Sequence, residues 1–320
     1  MNQRTTLILV ALISLAILCI SPYLGLANNT AEIQHHILTQ LRIPRILFTF
    51  LAGSGLALCG MVFQAMFHNP LATPFTLGVA SGASLGAAIY VYLGLSFSLL
   101  GIDGGAFAAF AGALIAISFV YAVSRYQNGF SPETLLLTGV AISFFFSSLI
   151  LFTQYLSNLT DSFEIMRWLM GSLTTVGYDE VLQLLPFVTL CTGVILWLSR
   201  ELNLLMAGDD IALSRGVPVH TIRYVLFIVT SLCVGAIVAL CGPIGFVGMM
   251  VPHICRLFVG ADHRWLIPTT LLFGGSFLIV CDTIARLIIA PADIPVGVIT
   301  TLLGGPFFLW LLIKSRAKLA

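Results

Sequence analysis

From Ile46 to Ile102 the chain carries not one Asp, Glu, Lys or Arg. A bilayer crossing takes about 20 apolar residues, so this run is too long for one span and suits two joined by a turn. The turn is read at His68-Asn69-Pro70-Leu71-Ala72-Thr73-Pro74. With 59% hydrophobic residues, 8% charged residues and a mean hydropathy of +1.05, the chain lies outside the range of soluble domains. Only helical bundles and closed barrels satisfy their backbone in lipid, and long unbroken apolar runs select helices. The expectation is an all-α polytopic membrane protein, one domain over residues 1–320, with lipid as its solvent. A net charge of +1 points to no nucleic-acid partner.

The remaining runs complete a ten-span reading. Residues 5–31 lack charge and follow Arg4; Gly25-Leu26-Ala27 resembles a cleavage site, but the run is long enough to span and is read as a retained first helix. Further spans are read at 104–124, 134–160, 181–199, 221–240, 265–286 and 294–313, with a surface loop at 161–180. The piece from Ile244 to Cys255, interrupted by Pro252 and His253, reads as a short broken helix that needs protein or a water-filled cavity around its freed backbone. Ten spans put both termini on one side. With that side cytoplasmic, only Arg42, Arg45, Arg167 and Arg286 of the 14 Lys and Arg face outward, which satisfies the positive-inside rule. Gly53 with Gly60, and Gly78 with Gly82 and Gly86, read as small-residue helix-packing faces.

Ser199 to His220 is a polar island holding Arg200, Glu201, Asp209, Asp210 and Arg215. Gly208 breaks the preceding run, two acids follow where a helix N-terminus favours them, Arg215 falls in the last turn, and Gly216 and Pro218 stop the helix. This predicts a short helix at the membrane surface, inside a segment of about 202–218, where another protein could grip it. An ordinary loop helix is the plainer alternative.

Catalytic chemistry is not visible. The only lysines are Lys314 and Lys318, and no G-x-x-x-x-G-K-[ST] occurs, so any ATP hydrolysis belongs to another protein. The seven cysteines are scattered and read as packing residues; no catalytic, cofactor or metal site is expected. Asp282 is the main ionisable residue inside a span, and Arg286 one turn later reads as its structural i, i+4 partner.

Five stretches resemble the FecCD-type permeases, the membrane subunits of ATP-binding-cassette (ABC) importers for iron chelates, haem and cobalamin. They are R-I-P-R at Arg42 to Arg45, G-M-V-F-Q-A-M-F-H-N-P-L-A-T-P at Gly60 to Pro74, A-G-D-D-I-A-L-S-R-G-V at Ala207 to Val217, G-P-I-G-F-V-G-M-M-V-P-H-I-C-R at Gly242 to Arg256, and D-I-P-V-G-V-I-T-T-L-L-G-G-P-F-F at Asp293 to Phe308. The resemblance implies a ten-helix permease of the type II ABC importer fold in the inner membrane, both termini cytoplasmic. Its implied partners are a second permease, identical or not, two ATPase subunits, and a periplasmic substrate-binding protein. It makes Gly208, Asp209, Asp210, Ile211, Ala212, Ser214, Arg215 and Gly216 the ATPase-coupling helix, and Arg42, Arg45 and Arg286 the residues that dock the binding protein. Many relatives have leucine where this chain has Arg215, so the surface offered to the ATPase differs in charge. A ferric siderophore is the expected cargo, partly because R-W-L-M-G-S-L at Arg167 to Leu173 is similar to siderophore permeases; haem and cobalamin are the alternatives. Two rivals from other classes are a proton- or sodium-coupled carrier working through Asp282, and a membrane enzyme or cytochrome using the six scattered histidines.

Overall fold

The structure, a computed structural model, describes residues 3–25, 31–70, 72–99, 101–126, 132–290 and 292–316. Leu26 and Ala27 of the cleavage-site reading, Leu71 of the turn, and Lys318 lie outside the described residues. The helices in chain order are α1 (Gln3–Ile20), α2 (Ala31–Ile37), α3 (Ile43–Met66), α4 (Val79–Tyr92), α5 (Gly104–Tyr126), α6 (Pro132–Leu156) and α7 (Leu159–Leu169). They continue with α8 (Asp179–Trp197), α9 (Ser199–Ala207), α10 (Asp209–Ser214), α11 (Val219–Cys241), α12 (Val247–Val259), α13 (His263–Ile288) and α14 (Val296–Arg316). A two-residue hairpin, β1 (Ser98–Leu99) with β2 (Ile102–Asp103), closes the link from α4 to α5. Seven helical stretches among the described residues are long and apolar enough to cross a membrane, and α4, α12 and α14 are shorter apolar helices. Seven of the ten expected spans thus have crossing length, and the other three fall on the shorter helices.

The core is built around α3. Its apolar window is 83% buried against other helices, against 28% for α1, so α3 is a central post and α1 an outer helix. α1 is nonetheless stitched to α13 by polar contacts: Ser276 donates to Ser14 Oγ at 2.7 Å, and Ser21 and Thr283 share a hydrogen bond at 2.7 Å. Such hydroxyl pairs serve where apolar side chains gain nothing by leaving lipid.

Prolines release carbonyls, and the bundle uses them. Pro44 has no N–H for the Gln40 carbonyl, and a π turn (Leu38–Arg42) lies between α2 and α3. The Gln40 carbonyl instead accepts from Gly177 N at 2.8 Å. Pro252 likewise frees the Gly248 carbonyl, and Gln64 Nε2 of α3 donates to it at 3.4 Å and to the Met249 carbonyl at 3.1 Å. The expected break is therefore displaced: Gly242 and Phe246 take positive φ, and α12 then runs uninterrupted through Pro252 to Val259. Close approach explains Gly60, where a Cβ would lie 1.8 Å from the Gly248 carbonyl oxygen. Gly82 and Gly86 face α5 as read. Gly78 does not belong to that face: it precedes α4 at φ 76° and turns the chain into the helix.

Candidate coupling and docking sites

The polar island becomes two helices. α9, which the charge pattern did not reveal, buries Leu202 and Leu205 and turns sharply at Gly208 (φ 123°) into α10. The end of α10 is sealed as the sequence signals require. Gly216 at φ 78° donates to the Leu213 carbonyl at 2.9 Å, and Val217 N donates to the Ala212 carbonyl at 3.0 Å. This paired pattern satisfies the last carbonyls, and the buried Val217 covers the buried Ala212 beneath it. Asp210, Ile211, Leu213, Ser214 and Arg215 are exposed; Ile211 and Leu213 are 47% and 54% exposed. The helix thus presents a mixed apolar and charged face outward.

Asp209, its side chain 40% exposed, reaches to α11. Its carboxylate accepts from Arg223 Nη2 on α11 at 2.6 Å, and Arg223 is 3% exposed. α9 is tied down separately. Asn203 Nδ2 donates to Asp262 Oδ1 at 2.8 Å, while Asn203 Oδ1 accepts from His263 N at 2.9 Å and from His263 Nδ1 at 2.7 Å. Asp262 caps α13 by accepting from Arg264 N at 3.1 Å. That backbone bond, then the Asn203 amide, holds the Asp262 carboxyl below the usual carboxylate range. His68, itself at φ 48°, donates from Nε2 to the Leu205 carbonyl at 2.6 Å. Gln3 donates to the Val259 carbonyl at 2.9 Å, so the start of α1 lies at the same end of the bundle as α9 and α10.

At the opposite end Arg42, Arg45 and Arg286 line one cavity of about 870 Å³, together with Glu180, Asp293 and Thr175. Thr175 donates to Glu180 on its wall. The i, i+4 pair is present, Arg286 Nε to Asp282 Oδ2 at 3.3 Å, but Asp282 has a closer partner. Arg45 grips it with two bonds, Nη2 to Oδ1 at 2.8 Å and Nε to Oδ2 at 3.0 Å, and extends Nη1 to Asp293 at 2.8 Å. Two of the three arginines are thus committed to internal carboxylates. Arg42 donates to the Leu24 and Gly25 carbonyls at 3.1 and 3.0 Å.

Two further stretches are placed by the structure. Arg167 to Leu173 ends α7 and turns at Gly171 (φ 71°) against Pro243, with Ser172 N donating to the Cys241 carbonyl at 2.8 Å. The stretch is held by packing against the end of α11. The cysteines are not all scattered: Cys59, Cys191 and Cys233, from α3, α8 and α11, bring their sulfurs within 4.8 Å of one another in the buried core.

A bundle of this topology, with the α9–α10 pair at one end, is the type II permease fold of ABC importers. A solved structure described as an inward-facing metal-chelate type ABC transporter superposes with a TM-score of 0.86 at 33% identity, covering 98% of this chain and all of that one. The FecCD transport family matches residues 4–314, and the chain belongs to that family. Among curated relatives, the hemin transport system permease HmuU of Yersinia pestis is 36% identical over 91% of this chain and 87% of its own. The vitamin B12 import system permease BtuC of Escherichia coli is 40% identical over 87% of this chain and 83% of its own. The protein is a multi-pass ABC importer permease. Such permeases work with ATPase and substrate-binding partners, and as dimers.

Proposed function

We propose that this chain is the translocation subunit of an importer that carries a metal chelate through the inner membrane, with both termini cytoplasmic. The exposed face of α10 carries the reading: it is a short helix closed at its end, turned outward, and backed by buried contacts. Two ATPase subunits grip that face on the pair formed with a second permease. A periplasmic binding protein docks at the cavity of Arg42, Arg45 and Arg286. Arg42, bound among the described residues to carbonyls, meets the partner's carboxylates first, and charge pairing there sets register and encounter rate.

The cargo class is a metal-centred chelate. The relatives named for hemin and vitamin B12 put a metal macrocycle beside the ferric siderophore expected from sequence. The arrangement of Asp282 speaks against the ion-coupled carrier, because both its oxygens are engaged by arginines. The test is uptake of labelled siderophore, haem and cobalamin into vesicles holding the complete complex. Uptake should require ATP and survive a protonophore; uptake that follows the proton gradient without ATP would return the carrier reading to first place.

A further inference from the structure

A helix of six residues has little stability of its own, so a push on the outer face of α10 would bend it unless something stiff stands behind it. The structure places one polar clamp on α10 and a second on α9, against which α10 packs. The first joins Asp209 to Arg223, within the first turns of α11. Among the described residues Asp209 is the one carboxylate on this guanidinium, whose Nε has no partner. The second joins Asn203 to Asp262 and His263, the residues at which α13 begins. Asn suits this corner because one planar amide supplies the donor for a carboxylate and the acceptor for two N–H groups. Asp would lack the donor, and Leu would lack both.

We propose that these two clamps are the route by which movement of α9 and α10 enters the bundle, through the first turns of α11 and α13. The proposal rests on the reading of α10 as the ATPase-facing helix and adds the residues that transmit. Both receiving helices pack on α3, the central post, so a displacement applied at their ends turns them about it. The buried guanidinium enforces the first connection, since parting it from its carboxylate leaves a desolvated charge unpaired. Asp209, its side chain 40% exposed, is then the transmission residue on the α11 side, while Ile211 and Leu213 contact the ATPase. Arg223 and Asn203 are positioning residues: they touch neither cargo nor nucleotide.

The experiment uses the whole importer in proteoliposomes and reads three quantities: ATPase subunits that co-purify, ATP hydrolysed, and cargo moved per ATP. Arg223→Met and Asn203→Leu should keep the ATPase subunits and continue hydrolysis while cargo per ATP falls about tenfold or more, the scale of a typical intersite coupling. Asp209→Arg alone should behave likewise, and the exchanged pair Asp209→Arg with Arg223→Asp should recover most of the loss. A ratio equal to wild type in the single variants overturns the proposal. So does loss of the ATPase subunits in those variants, which would make the clamps mere supports for the fold of α10. Ile211→Asp touches neither clamp and tests the underlying reading separately: if the ATPase subunits remain bound to it, α10 is not their docking helix.

Discussion

Gly60→Ala adds one methyl group where α3 meets α12. The new Cβ would sit 1.8 Å from the Gly248 carbonyl oxygen and 2.5 Å from Gly248 Cα, whereas ordinary contact starts at 3.4 Å. The two backbones must separate by 3.4 − 1.8 = 1.6 Å, because the obstacle is main chain and cannot rotate away. That displacement also parts Gln64 Nε2 from the Met249 carbonyl, now at 3.1 Å, and strains the Arg256 bond to Gln64 Oε1 at 2.7 Å. Overpacking costs about 1–3 kcal/mol, and a buried amide left without its acceptor roughly 1–3 more. The sum, about 2–6 kcal/mol, corresponds in a chain of 320 residues to a fall in melting temperature on the order of 3–9 °C. Thermal unfolding of the detergent-purified chain, followed by size-exclusion of the surviving fraction, reads it directly. Gly193→Ala is the control: nothing lies within 4 Å of its added Cβ, and it should melt with wild type or slightly above. A Gly60→Ala protein as stable as wild type would show that α12 does not depend on this close approach.

Asp282→Ala should cost about 3–5 kcal/mol, since it leaves Arg45 and the buried Arg286 without their shared carboxylate; equal stability in the same melting assay would mean the pair is solvated. Because Asp262 titrates below its unfolded value, its contribution is full at and above the ordinary carboxylate range and is lost as pH falls through the depressed folded value. Hydrogen exchange at the α9–α13 corner should therefore quicken only in strong acid, and Asp262→Asn should remove that dependence. Arg42→Glu should weaken docking of the binding protein, more at low salt than at high salt. Docking unchanged at both ionic strengths would leave Arg42 a helix-end anchor.

The elements that sequence reading recovered are those whose causes are local. The apolar helices follow from long stretches poor in charge, and α10 follows from Gly208, two acids and Gly216 within nine positions. Gly60 was legible as a packing residue but its partner was not, because Gly248 lies on another helix that only the packing of α12 on α3 brings to it. α9 escaped because its two buried leucines lie in a stretch that looks polar as a whole.

By itself, then, the sequence determined an all-helical membrane bundle, the family to which it belongs, and a surface helix with defined ends. Each depends on hydropathy, spacing or backbone preference within a few residues. Only the tertiary structure decided which charges meet. Arg45 reaches Asp282 across 237 positions, the buried Arg223 holds Asp209, Asn203 finds His263 across 60, and three separated cysteines converge. Such pairings arise because a charge or amide shut away from water must find a partner among the helices that happen to pass it, and helix order in space is not written in helix order along the chain.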